Sequence, residues 1–188
     1  MPALNEARFK NTVLAILTAC QGLGSVQLRK ALIIADALHL TLFGESLTGA
    51  RYIKFPYGPV PDRDADNLIY HMFFGERLID IIEEPEGRTT KNSHFALVQP
   101  DTEIFSEEEN NIIRFAADTA LKYSASRLSD MSHDKVYNET PMFGEIPLDR
   151  VCTMTVMGRF DTPPFTEEEK RDLTRVLSSD EARQFAFV

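Results

Sequence analysis

The chain has no tryptophan, only two cysteines, and no apolar run long enough to cross a lipid bilayer. Cys20 and Cys152 stand far apart and in no metal-ligand spacing, which argues against a disulfide framework and a cysteine-based zinc site. Residues 11–28 are uncharged, yet Asn11, Thr12, Thr18, Gln21, Gln27 and two glycines make them too polar for a membrane span. The opening MPALNEARFK puts charge where the apolar core of a secretion signal would lie. Basic residues are also scarce: 20 Lys and Arg stand against 29 Asp and Glu, for a net charge of -9. So acidic a chain is badly placed to neutralise phosphates, which speaks against general nucleic-acid binding. The expectation is a protein of the reducing cytoplasm with no membrane contact.

What is present is an ordinary globular composition, 43% hydrophobic and 26% charged over 188 residues. That length suits one domain, 1–188, able to bury roughly 70% of the surface its unfolded form exposes. Phe9, Val13, Ile16, Leu17 and Cys20 recur at helical spacing behind Asn5, a predicted N-cap. Gly22 and Gly24 break that helix, and Ser25 is expected to cap the next, which runs through LRKALIIADALHLTLF to Gly44. It is apolar nearly all round from Ala31 to Leu42, as helices inside a protein are. In GARYIKFPYGPVP, Tyr52, Ile53 and Phe55 suit a short strand, while Pro56, Gly58, Pro59 and Pro61 predict a rigid, non-helical connection. A helix resumes with Asp62, Asp64 and Asp66 at its start and Gly75 at its end. LIDIIEE and HFALV flank a turn at Pro85–Gly87 and read as a β-hairpin near residues 78–98.

Ser106 with Glu109 forms a capping box opening a helix whose buried stripe is Ile112, Ile113, Ala116 and Ala120. Ser124 to Tyr137 reads as two short helical turns, with Ser132 capping the second. Val151–Met157 suits a strand, and Pro163 and Pro164 mark a loop. Thr166 with Glu169 opens a last helix through Leu173, Val176 and Leu177. The tail RQFAFV docks as an edge strand through Phe185 and Phe187, or frays. The fold class expected is α+β: a mainly helical single domain with a small antiparallel sheet.

The chemistry-bearing residues are few. Asp36 and His39 stand three apart on one face of the most buried helix. A buried carboxylate needs partners, and His39, Arg51, Tyr52 or backbone N–H groups of the following segment are in reach. Such a pair serves either a metal or acid–base site or a polar clamp holding the rigid loop to the helix. Only two ligands assemble, where zinc needs three or four, so the clamp is preferred. His133 either completes a site with Asp36 and His39, as in a small metal-dependent hydrolase, or is satisfied locally beside Asp130, Ser132 and Asp134. Ser126, Ser129 and Ser132 lie in no nucleophile elbow. The glycines match no phosphate-binding loop. Glu107–Glu109 and Glu167–Glu169 sit at helix N-termini, where the macrodipole explains them.

The stretch KALIIADALHLTLFGESLTGARYIKFPYGPVPDR resembles the Panacea, or SocA-like, antitoxin domain of bacteria and phages. The resemblance rests on Asp36, His39, Gly44, Thr48, Gly49, Tyr52, Gly58, Pro59 and Val60. It continues in YSASRLSDMSHDKVYNETP, with its Ser-Ala, Leu-Ser and Ser-His pairs, and spans about residues 5–150. Residues 151–188 are then an extension packed on the motif-bearing part. Two positions depart from the family pattern, Ile34 for an aromatic residue and Tyr137 for a tryptophan, and both keep an apolar role. The resemblance implies an antitoxin that binds and neutralises a protein toxin encoded beside it, without catalysis, cofactor or metal. One relative acts as an adaptor, which implies as a second reading delivery of the partner to a bacterial protease such as a Clp-type complex. The motif positions, with Arg51, Tyr57, Ser126, Leu128 and His133, are the candidate structural and partner-contact residues. An acidic surface would speed encounter with a basic toxin.

Overall fold

The amphipathic N-terminal segment forms α1, Glu6–Ala19, with the Asn5 side chain accepting from the N–H of Arg8. Phe9, Val13, Ile16 and Leu17 along it are fully buried. The structure, a computed structural model, describes residues 3–87, 89–150 and 166–179. The expected strand at Val151–Met157, the loop at Pro163 and Pro164, Cys152 and the RQFAFV tail lie outside the described residues.

The second helix, α2, spans Ser25–Phe43 and is buried almost without interruption from Leu28 to His39. It is the axis of the domain: α1 and the later helices at Glu107–Lys122 and Ala125–Ser132 pack around it, as do two small sheets. Gly24, not Ser25, occupies its N-cap position, where the Gln27 side chain accepts from the Gly24 N–H at 3.1 Å. The exchange has a topological reason. Leu23–Gly24 is a short strand, β1, so the chain turns into the helix directly from a sheet. Gly44 ends α2 in the left-handed conformation, φ 82°.

The GARYIKFPYGPVP segment is more regular than its prolines suggest. Tyr52–Phe55 (β2) and Gly58–Pro61 (β3) pair antiparallel across a two-residue turn, Pro56–Tyr57. Pro59 and Pro61 sit opposite Lys54 and Tyr52, and β2 pairs on its far side with residues 143–146. That leaves β3 an edge strand, where a missing N–H costs no ladder bond. The predicted stiff connection is therefore a hairpin.

Asp62 caps α3, Arg63–Phe74, by accepting from Ala65 N–H. The expected second hairpin follows as β4, Ile79–Glu86, and β5, Thr89–Ala96, in a sheet of order β1-β5-β4. β4 is an outer strand, and its edge is blunted by Pro85 and by the Asp80 carboxylate, which takes the Ile81 N–H. A single 3-10 turn at Thr102–Ile104 leads to α4, Glu107–Lys122, opened by the Ser106–Glu109 capping box. Two short helices follow, α5 at Ala125–Ser132 and α6 at Lys135–Glu139. Asp134, not Ser132, caps α6; Ser132 is the last residue of α5, and its hydroxyl donates to the Ser129 carbonyl. The last described helix, α7 at Glu167–Ser178, starts with the Thr166–Glu169 box and inserts Leu173 and Leu177 into the core against α4. The architecture is mainly helical with small antiparallel sheets, as expected. Among the described residues no helix is long and apolar enough to cross a membrane.

Two glycines of the Panacea-like pattern separate backbone from space. Gly49 has φ +76°, and a Cβ on it would lie 2.4 Å from the Ala3 carbonyl oxygen. Gly44 is equally left-handed but faces open space. Gly49→Ala should cost about 2–4 kcal/mol and Gly44→Ala about 1 kcal/mol, read by urea denaturation. Equal losses would mean that the N-terminal strap over Gly49 yields freely.

Candidate functional site

Asp36 is fully buried halfway along α2. Its carboxylate accepts from the Thr48 N–H and the Thr48 hydroxyl, both at 2.7 Å, and from the Tyr52 hydroxyl at 2.6 Å. Thr48 is used completely. Its hydroxyl also accepts from Ala50 N–H, and its carbonyl accepts from Asn5 N–H. Burial pushes the Asp36 carboxyl upward, opposed by the bonds from Tyr52 and Thr48. Burial, and then the Asp36 charge, push the Tyr52 phenol well above its ordinary value, which keeps it a donor. The clamp is present, and of the expected donors it takes Tyr52 and backbone; Arg51 and His39 go elsewhere.

Arg51 pairs with Asp62, its Nε donating at 2.9 Å, across the open end of the β2–β3 hairpin. His39 sits between two acceptors: Nδ1 lies 2.6 Å from the Glu45 carbonyl and Nε2 2.9 Å from the Glu109 carboxylate. The ring thus bridges the loop after α2 and the start of the Glu107–Lys122 helix. Glu109 also takes the Arg8 guanidinium and the Ser106 N–H. Burial works against the Glu109 charge, but the Ser106 N–H and the Arg8 and His39 donors outweigh it and hold the carboxyl below its usual range. Arg8 further donates to the Leu47 and Ile104 carbonyls and stacks over Phe105. Arg8, His39 and Glu109 thus tie α1, α2 and α4 to the loop between α2 and β2.

A second cluster holds the other end of the hairpin. Lys30, also buried on α2, donates to the Pro59 carbonyl at 3.0 Å. The space where a Gly58 Cβ would sit is taken by Lys30 Nζ and Ser132 Oγ, each 2.3 Å away, at a φ of +101°. Ser129 Oγ donates to the Tyr57 carbonyl, and the Tyr137 hydroxyl donates to the Phe55 carbonyl. Lys54 turns inward, its ammonium on the Thr140 carbonyl and 4.3 Å from the Tyr137 ring. His133 stacks on the same ring at 4.2 Å, nearly parallel, with its Nε2 buried and unbonded. Burial, then the Lys30 charge, lowers the His133 pKa, so the ring is neutral. Leu128 is in the core; Ser126 is exposed on the first turn of α5, and Val60 is half-buried in β3.

The two blocks of the pattern therefore meet at the β2–β3 hairpin. The first supplies the hairpin and its supporting helix, and the second supplies the residues under its tip. Residues 28–136, more than half of the chain, match the family model described as antitoxin SocA-like, Panacea domain. The chain belongs to this family. No curated protein and no solved structure matches it. The Panacea-domain match runs from α2 into α6 and leaves out Arg8, which anchors the network from α1.

The hydrolase arrangement is not what the side chains form. Asp36 and His39 spend their polar atoms on separate partners, and His133 lies with Tyr137 under the hairpin tip. Among the described residues no three His, Cys, Asp or Glu side chains converge as metal ligands. An open groove of about 840 Å³ between α1, α4 and residues 99–102 is lined by none of the motif residues.

Residue-by-residue reading missed Lys30, Arg8 and the second use of Glu109. Lys30 is a cation on the face of α2 that also carries Leu and Ile into the core, a signal open to inspection. Arg8 and Glu109 are about 100 residues apart in sequence, and nothing local connects them.

Asp36→Ala should lower stability by about 2–4 kcal/mol and Tyr52→Phe by about 1–2 kcal/mol, since buried donors or an acceptor lose their partners. An Asp36→Ala variant that melts like wild type but fails to bind its partner would make Asp36 a contact and not a clamp. Lys30 adds a pH signature. Burial, then the Arg29 charge, lowers its amine from 10.5 to about 7. The unfolded chain then binds more protons between about pH 7 and 10.5, so stability climbs with pH through that window and levels off above it. Urea titrations at pH 6.5, 8 and 9.5 should show wild type gaining on Lys30→Met as pH rises. A difference flat in pH would make the amine an ordinary one.

Proposed function

We propose that this chain is the antitoxin of a toxin–antitoxin pair and that it acts in the cytoplasm by binding a cognate protein toxin directly. The observation that carries the reading is the meeting of both Panacea blocks beneath one rigid hairpin. Buried polar groups there go to fixing backbone: Asp36 on Thr48, Lys30 on Pro59, Ser129 on Tyr57, Tyr137 on Phe55. A hairpin held at both ends presents a fixed surface, which lowers the ordering cost of association. Catalysis asks for polar atoms left free towards a substrate, and Asp36 has none aimed at solvent. The net charge of -9 favours fast encounter with a basic partner.

The test is co-expression in bacteria with the product of the adjacent reading frame. That product alone should arrest growth, and this chain should restore it. A neighbour that is harmless alone, or lethal in the presence of this chain, removes the antitoxin reading. The half-life of the partner separates sequestration from delivery to a protease: sequestration leaves it unchanged or longer, whereas an adaptor shortens it.

A further inference from the structure

The molecule leaves an aromatic cluster outside at the hairpin tip. Tyr57 is 76% exposed, Phe143 66%, Met142 49% and Phe55 39%. Phe55 and Phe143 meet edge to face at 5.3 Å. Phe143 is held there by backbone pairing, its N–H on the Lys54 carbonyl and the Gly144 carbonyl on the Lys54 N–H. Its φ is +64°, one of two positive values on non-glycine residues among those described. A large aromatic residue in the left-handed region costs free energy, and so does its exposure. Glycine would relieve both, yet the position carries Phe. Strain held in place by surrounding structure marks a residue kept for what it contacts.

Underneath, the cluster is rigid. Tyr57 and Phe55 have their carbonyls bonded by Ser129 and Tyr137, and Gly58 is backed by Lys30 and Ser132. Around it, Glu139, Glu145 and Asp149 are exposed. The neighbouring cations are engaged: Lys54 points inward, Arg51 pairs with Asp62 and lies 3.9 Å from Glu145, and Arg150 pairs with Glu139, so the carboxylates Asp62, Glu139, Glu145 and Asp149 face two arginines. An apolar aromatic centre with an acidic rim is complementary to a protein surface that has an apolar pocket ringed by Lys or Arg. The same rim disfavours an anionic membrane.

We infer that Phe55, Tyr57, Met142 and Phe143 form the docking surface for a protein partner that is basic around an apolar pocket. This rests on the antitoxin reading and names its surface. Phe143→Gly relieves the backbone while deleting the anchor. It should melt at or above the wild-type temperature yet bind the adjacent gene product at least tenfold more weakly and fail to restore growth. Tyr57→Ser, at the exposed tip, should weaken binding in the same way and guards against a folding defect at position 143. Glu139→Lys with Glu145→Lys should slow association several-fold, and raised salt should slow wild-type association.

Several results would overturn the inference. If wild type restores growth and Phe143→Gly and Tyr57→Ser do so equally, the surface is wrong while the antitoxin reading stands. If wild type restores no growth, both fall together. Salt-independent binding removes the basic partner. Wild-type dimers in sedimentation that Phe143→Gly dissociates would give the cluster to a second copy, and binding to phosphatidylglycerol vesicles would give it to a lipid surface.

Discussion

One carboxylate, buried to zero exposure, decides how the middle of this chain is arranged. Asp36 cannot be left alone in the core: a charge out of water is tolerated only where donors replace the lost hydration. The three donors it has come from Thr48 and Tyr52, on opposite sides of Gly49. Meeting that demand fixes the path of the chain after α2. It brings Thr48 against the helix, forces Gly49 into a left-handed turn under the Ala3 carbonyl, and points Tyr52 inward at the start of β2.

The direction of the hairpin then follows from a second attachment. Lys30 and Asp36 are six residues apart on α2, roughly 9 Å along the axis. Asp36 takes the first residue of β2, and Lys30 takes the backbone of β3 just past the turn. Two anchors on one rigid helix set both position and angle, where one would leave a pivot. The Arg8, His39 and Glu109 network joins α1, α2 and α4 as a third attachment, which resists sliding of the helices past one another. Within it the Arg8 guanidinium and the Glu109 carboxylate pair with each other, so neither charge stands alone.

Much of this was legible from residue types alone. Periodicity and capping boxes located the long helices, because an amphipathic stripe and an N-terminal cap are local signals. Asp36 in an apolar helix announced a clamp, because its cost is independent of the partner. What failed was non-local or turned on pairing. Pro59 and Pro61 argued against a strand, and only residues 143–146 on the other side of β2 make β3 an edge where proline is allowed. His39 was drawn to Asp36 by spacing, but its acceptors lie 6 and 70 residues downstream. Ser132 looked like a cap by type, and Asp134, two places on, competes better for the Tyr137 N–H. The φ of Phe143 left no trace in the residues around it.

The division between buried and exposed chemistry bears on what kind of protein this is. A catalytic carboxylate or imidazole has to keep a lone pair or a proton free towards a substrate, so its environment is left incomplete. Here Asp36, His39 and Glu109 are each engaged by two or more groups, and these partners are backbone or side chains that define the fold. Several large apolar side chains are left exposed, among them Tyr57 and Phe55 on the hairpin and Phe143 beside it. Polar groups turned inward and apolar groups turned outward are the reverse of an active-site cleft. They suit the proposed antitoxin role, in which a rigid surface is covered by another protein.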